Sequence, residues 1–281
     1  NDKPLGNEKI RRETGRSDSF LQEEIVRALN RKITDWNGRR IWVIGASSGI
    51  GAALARHLQT LGARVALSAR RGAELTELGI PGSLVLPLDV TDAKAVDNAH
   101  ERLKSDWNGI DLVIYCAGTY VPMRAWDIDL EVTKTTLDVN LLGVYNLLQA
   151  AIPHFLEQKA GGICVVASIA GVTGLPKALC YGPSKAALIN LAEVLYADLA
   201  PRGIDVYLIN PGFVDTRLTK KNDFTMPSLI TPEKAAEEIV DGLGRGRFEI
   251  HFPRRFTLWI KTLALLPQRF RFYLLKRIAA T

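Results

Sequence analysis

Short apolar, β-branched runs alternate with helical patterns along most of this chain, and that alternation limits the fold more than any single residue does. The runs are 40–45 (RIWVIG), 64–68 (RVALS), 83–88 (SLVLPL), 111–116 (DLVIYC), 162–167 (GICVVA), 204–209 (IDVYLI) and 247–251 (RFEIH). Helical periodicity at 49–61, 92–106, 131–157, 181–200 and 232–243 falls between most of them. Strand, helix, strand, helix means parallel strands joined by right-handed crossovers. The predicted fold class is therefore α/β, a doubly wound and mostly parallel sheet of about seven strands with helices on both faces.

Three segments follow from the same pattern. Residues 1–38 read as a polar arm followed by an amphipathic helix over 19–36, where Phe20, Leu21, Ile25, Leu29, Ile33 and Trp36 recur at helical spacing. Residues 39–252 hold the alternating body, and 253–281 form a basic, apolar tail. The net charge of +6 is misleading, because no acidic residue follows Glu249 while Arg254, Arg255, Lys261, Arg269, Arg271, Lys276 and Arg277 supply +7 there. A near-neutral body with a basic tail argues against a general nucleic-acid surface. Cys116, Cys164 and Cys180 are too few and too scattered for a disulfide framework or a zinc site, which fits a reducing, cytoplasmic compartment. His57, His100, His154 and His251 lack metal-ligand spacing, so no metal is expected. The polar N-terminus predicts no secretory signal.

The first strand runs directly into Gly45-Ala-Ser47-Ser48-Gly49-Ile50-Gly51 and then into an alanine-rich helix. Glycine lets a backbone turn tightly and approach a pyrophosphate, with the helix N-terminus aimed at the anion. The spacing G-x-x-x-G-x-G resembles that of the short-chain dehydrogenase/reductase family, with Ile44 in place of the family's Thr. The resemblance covers about 39–250 and makes 39–252 a Rossmann-like dinucleotide-binding catalytic domain. A carboxylate commonly ends the second strand of NAD-binding folds, yet this chain has Ser68-Ala69-Arg70-Arg71. Two guanidiniums suit a 2′-phosphate, so NADP(H) is the predicted cofactor; the alternative is that one or both face water. At other strand ends Asp89 resembles the group that meets the adenine, with Val90 beside it. Ala117 and Gly118 end Tyr115-Cys116-Ala117-Gly118, which stands where the family has N-N-A-G. Pro211, Gly212, Val214 and Thr216 resemble the loop that holds the nicotinamide end.

Tyr181 and Lys185 are four residues apart and share one helical face, where an ammonium can favour the ionised phenol. Hydride transfer to a carbonyl carbon builds negative charge on the oxygen, which needs a hydrogen-bond donor and a proton source. Ser168 at the end of the fifth strand would be the donor and Tyr181 the acid, or the base in oxidation. With Asn140 these residues match the family's Asn-Ser-Tyr-Lys set. The resemblance implies that Lys185 also holds the cofactor ribose and that Asn140 positions a water linking Lys185 to solvent. The predicted enzyme is an NADP-dependent reductase of carbonyls or oxidiser of secondary alcohols. Its rivals are a non-catalytic dinucleotide sensor, a membrane-attached structural module on the same fold, and an NAD-linked alcohol oxidiser.

After Thr216, residues 217–230 correspond to the family's mobile lid; Leu218, Phe224, Met226 and Leu229 suggest a moderately lipophilic substrate. In the tail from Arg254 the apolar run 256–266 is too short to span a bilayer, which needs about 20 apolar residues, and Lys261 and Pro267 interrupt it. Two readings stay open for it: a helical pair packed on a neighbouring subunit or over the pocket, since the resemblance implies homo-oligomers, or peripheral membrane contact through 254–278.

Overall fold

The computed structural model describes residues 28–222 and 226–280, the last three by their backbone alone. Its centre is a single sheet of β1 (Arg40–Ile44), β2 (Arg64–Ser68), β3 (Leu84–Val85), β4 (Leu112–Tyr115), β5 (Gly162–Val166), β6 (Asp205–Pro211) and β7 (Glu249–Phe252). Every pairing is parallel, in the order β3-β2-β1-β4-β5-β6-β7. The direction of winding reverses between β1 and β4, and a crevice opens there beyond the strands' carboxyl ends.

Alternation within each strand feeds two cores, as the two-residue period of side chains requires. Trp42, Ile44, Val113 and Tyr115 face one layer, against α5 (Gly143–Gln158) and α6 (Tyr181–Leu199). Ile41, Val43 and Ile114 face the other, against α1 (Gly49–Thr60) and α7 (Pro232–Gly244). Helices α1 and α7 pack on each other, and Ala53, Ala55, Ala235 and Ala236 are buried in the core they share, where small side chains permit close approach. The indole of Trp42 is completely buried and donates to Ser68 Oγ at 2.8 Å, which satisfies its N–H. The remaining helices are α2 (Gly72–Glu77), α3 (Ala93–Trp107), α4 (Leu130–Leu137), α8 (Arg254–Leu265) and α9 (Gln268–Ala280). Short polar side chains set several starts: Asp92 Oδ1 accepts from Ala95 N at 3.0 Å, and Thr231 caps α7 ahead of Pro232.

Four expectations change. The predicted strand 83–88 is regular only at Leu84–Val85, although Leu86 N and Leu88 N still donate to Leu67 O and Ala69 O at 2.9 and 3.1 Å; Pro87 has no N–H to continue the ladder. The last strand lies at Glu249–Phe252 rather than 247–251. The helix predicted over 131–157 is broken by a π turn at Asp138–Leu142, which carries Asn140.

The helix predicted over 19–36 is the fourth. Residues 19–27 lie outside the described residues, and 28–36 is irregular rather than helical. Asn30 is the physical reason: its Nδ2 donates to Val206 O at 2.8 Å and its Oδ1 accepts from Val206 N at 3.1 Å. The side-chain amide thus occupies the flank of β6 before β7 starts pairing at Leu208. Arg31 Nε donates to Asp205 Oδ2 at 2.7 Å, and Ile33 and Trp36 enter the second core. Tertiary partners outweigh the helical periodicity of this stretch.

Candidate active site

The crevice at the reversal point is a cleft of about 390 Å³. Its walls bring together Gly45, Ser47, Ser48, Gly49, Ile50, Arg70, Arg71, Asp89, Val90, Ala117, Gly118, Ser168, Tyr181, Lys185, Pro211, Gly212, Val214 and Thr216. Gly51 and Asn140, which the sequence also nominates, stand behind the wall.

The glycine turn has a steric logic. Gly45 has φ +86°, and a Cβ there would meet Ala117 N at 2.4 Å; a Cβ on Gly51 would meet Gly45 O at 2.3 Å. The first locks β1 against the end of β4, and the second seats the first turn of α1 on the loop. Ser48 occupies the N-cap without making a side-chain capping bond. Its hydroxyl and the first N–H groups of α1 therefore remain available to an anion.

Across the cleft, Lys185 Nζ donates to Val166 O at 2.8 Å and stands 5.7 Å from the centre of the Tyr181 ring. Ser168 lies two residues beyond β5 at the N-cap of the turn Ile169–Gly171, and its Oγ accepts from Ala170 N at 3.1 Å. Burial pushes the Tyr181 phenol up to about 12, and the hydrogen bond with Ser168 offsets part of that rise. Burial brings the Lys185 ammonium down to about 8. With burial as the largest cause of its shift, the Tyr181 phenol carries its proton at neutral pH. Tyr120 stacks edge-on against Tyr181 with ring centres 5.0 Å apart.

Asn140 is completely buried, and its amide is spent within the protein. Its Oδ1 accepts from Thr119 N at 2.7 Å, while Nδ2 donates to Thr119 O and Ser184 Oγ, both at 3.0 Å. Ser184 Oγ in turn donates to Tyr181 O at 2.7 Å. Asn140 thus pins the exit of β4 to the helix bearing Tyr181, and its side-chain N–H groups are not free to hold a relay water.

Tyr115, the first residue of the Tyr115-Cys116-Ala117-Gly118 run, ties the end of β4 to the π turn. Tyr115 Oη donates to Val139 O in the π turn at 2.6 Å. A Cβ on Gly143 would lie 2.3 Å from that oxygen and 2.9 Å from Val90 Cγ2, so the phenol and Val90 together require glycine there. Sequence reasoning missed Gly143, Ser184 and Thr119; among these, a glycine directly after Leu142 inside a helical pattern was a readable signal.

At the other end of the cleft Arg70 is exposed, and Arg71 Nε pairs with Glu74 at 2.9 Å. The Glu74 carboxylate also takes Arg217 Nη1 at 3.1 Å, linking α2 to the loop after Thr216. Asp89 Oδ1 accepts from Thr91 N and Oγ1 at 3.0 and 2.9 Å. Among the described residues no cluster of His, Cys, Asp and Glu suits a metal, and all three cysteines are free thiols. The residues present fit a dinucleotide: a glycine cradle that any Cβ would fill, an open helix N-terminus, and a guanidinium near the end of β2.

Comparison with known proteins places this geometry. The family model described as short chain dehydrogenase matches residues 39–226. An uncharacterized oxidoreductase of Myxococcus xanthus (strain DK1622) is 36% identical over 235 residues, covering 82% of this chain and 93% of the relative. An uncharacterized oxidoreductase of Staphylococcus aureus (strain USA300) is 33% identical over 205 residues, covering 72% of this chain and 89% of the relative. The crystal structure of a short chain dehydrogenase from Burkholderia cenocepacia J2315 in complex with NADP aligns with a TM-score of 0.77 at 27% identity, over 86% of this chain and 99% of that one. With the glycine turn, the reversal-point cleft and the Ser168, Tyr181 and Lys185 cluster on one wall, the chain belongs to the short-chain dehydrogenase family of oxidoreductases.

Proposed function

We propose that this protein uses NADP(H) to interconvert a moderately lipophilic carbonyl compound and its secondary alcohol. The observation that carries the reading is the convergence of the Ser168 hydroxyl, the protonated Tyr181 phenol and the Lys185 ammonium in the cleft lined by the glycine turn.

A bound dihydronicotinamide would supply the hydride. Gly45, Ser47, Ser48, Gly49 and Ile50 would hold the phosphates, with Gly51 supporting the turn from behind; Asp89 and Val90 would flank the adenine. Ala117, Gly118, Pro211, Gly212, Val214 and Thr216 would position the nicotinamide half, with Lys185 on the ribose. Ser168 donates a hydrogen bond to the substrate oxygen, and removing one such donor typically costs about 10²–10³ in rate. Tyr181 delivers its proton to the same oxygen, and Lys185 stabilises the phenolate left behind. Asn140 is a positioning residue that fixes Tyr181 through Ser184. In oxidation the proton moves the opposite way.

Cofactor choice rests on Arg70, which reaches the cleft without an ion pair among the described residues, whereas Arg71 is shared with Glu74. The NADP bound to the Burkholderia cenocepacia relative supports the same choice. The test compares NADPH with NADH in binding and turnover. A preference for NADPH is expected, and Arg70→Ala should reduce it at least tenfold, since a charge-assisted hydrogen bond contributes about 1.5–3 kcal/mol. An unchanged preference in the variant would refute this assignment of Arg70.

The proposed working form is a homo-oligomer. Exposed Leu142, Tyr145 and Leu156 around α5, with Val194 on α6, support self-association. No described helix is long and apolar enough to cross a membrane. The lipid contact anticipated for 254–278 would therefore be interfacial.

A further inference from the structure

We propose that α8 and α9 form a docking face for an anionic lipid bilayer, set beside the substrate end of the cleft. Helix α8 is apolar on two sides. Thr257, Ile260 and Leu263 are buried against the body, while Leu258, Trp259 and Leu265 project outward, with Leu265 85% exposed. Leu258 and Leu265 lie two turns apart on one face with the exposed Thr262 between them and Trp259 adjoining, so the apolar side chains gather on one side of the helix. Helix α9 adds Phe270, Phe272 and Tyr273, which are 66%, 50% and 54% exposed. Arg271 Nη1 donates to Ala264 O at 3.0 Å and fixes the corner between the two helices at Pro267.

Charge decides what covers this face. Arg255, Arg269, Lys276 and Arg277 are exposed on α8 and α9, which carry no acidic residue, whereas Arg254 shares a surface pocket with Glu237, Glu238 and Asp241 of α7. Lys261 is already engaged by Glu249. A second copy meeting this face isologously would oppose one set of cations with another. A bilayer surface accommodates both components: Trp and Phe rings enter the acyl boundary, while guanidiniums remain with anionic headgroups. Arg277 already lies over the Tyr273 ring at 4.8 Å, an arrangement that keeps cation and aromatic at one depth.

The location gives the face a use. The ring of Phe256, at the root of α8, lies 5.3 Å from that of Phe213 and packs against Gly212, which lines the cleft. Helix α8 also packs on the Ile169–Gly171 turn that follows Ser168. Delivery of a lipophilic carbonyl from the bilayer rests on the function proposed above, whereas docking itself does not.

The test is sedimentation of the full chain with phosphatidylcholine vesicles and with equimolar phosphatidylcholine and phosphatidylserine vesicles, at low and high salt. Binding to the anionic vesicles, weakened by salt and nearly absent on neutral ones, is expected. Arg269→Ala should lower the partition coefficient roughly fivefold, from about 1 kcal/mol per basic residue near the surface. Trp259→Ser combined with Leu265→Ser should abolish binding while circular dichroism stays unchanged, because both side chains lie outside the core. Failure of the parent to sediment, or equal sedimentation of the double variant, would overturn the proposal. So would a concentration-dependent oligomer that the double variant dissolves, which would place a second copy on the face.

Discussion

A phenol pushed up to about 12 and an ammonium brought down to about 8 stand one helical turn apart, both displaced by burial. Tyr181 therefore keeps its proton across the usual working range, and the group of the pair that titrates within it is Lys185. Below pH about 8 Lys185 is charged and favours the negative charge left on Tyr181 as the proton departs. Above that value the charge is lost. The pH profile of kcat/KM for carbonyl reduction should accordingly be flat below about 8 and fall as pH rises through it. Lys185→Met should remove the inflection and lower the plateau; an inflection that survives in the variant would assign it to another group. The pairing of Tyr181 with Lys185 was legible because spacing fixes a shared helical face. The direction of the phenol's shift was not, since burial depends on β5, α6 and the loop bearing Tyr120, which meet only in three dimensions.

At the scale of elements, the central features are the π turn at Asp138–Leu142 and the tyrosine that holds it. Tyr115→Phe removes the donor to Val139 O at a buried site and should cost about 1–2 kcal/mol. Gly143→Ala would ordinarily favour a helix by about 1 kcal/mol. Here its Cβ would meet Tyr115 Oη, so a loss of about 1–3 kcal/mol is expected instead. The double variant relieves the contact with the phenol oxygen but not that with Val90 Cγ2 at 2.9 Å, and denaturant unfolding should show it more stable than the sum of the two single losses predicts, by about 1 kcal/mol. Simple additivity would contradict the pairing of phenol and glycine. The sequence disclosed strands, crossovers and glycine turn because each follows from short periods and local turn chemistry. It hid the π turn because one extra residue per turn barely disturbs a helical pattern. It misread 28–36 because Asn30 finds its partners on Val206, far along the chain.

For the molecule as a whole, the sheet converts dispersed residues into one cleft: β1 brings the glycine turn, β4 Ala117 and Gly118, β5 Ser168 and β6 Pro211 with Gly212. The carboxyl-end rule for parallel sheets makes that convergence readable in the sequence, whereas the Arg71, Glu74 and Arg217 network depends on a loop meeting α2 from elsewhere in the chain. The tail is attached at the same end through Phe256, which relates the apolar outer face to the chemistry. We propose Tyr181 as the proton donor to the carbonyl oxygen. The most direct test of this role is single-turnover oxidation of NADPH by the parent and by Tyr181→Phe, on a carbonyl compound that the parent reduces, with NADPH binding measured alongside. A fall of about 10²–10⁴-fold in the rate with binding almost unchanged is predicted; a variant that binds NADPH and turns over like the parent would contradict the mechanism.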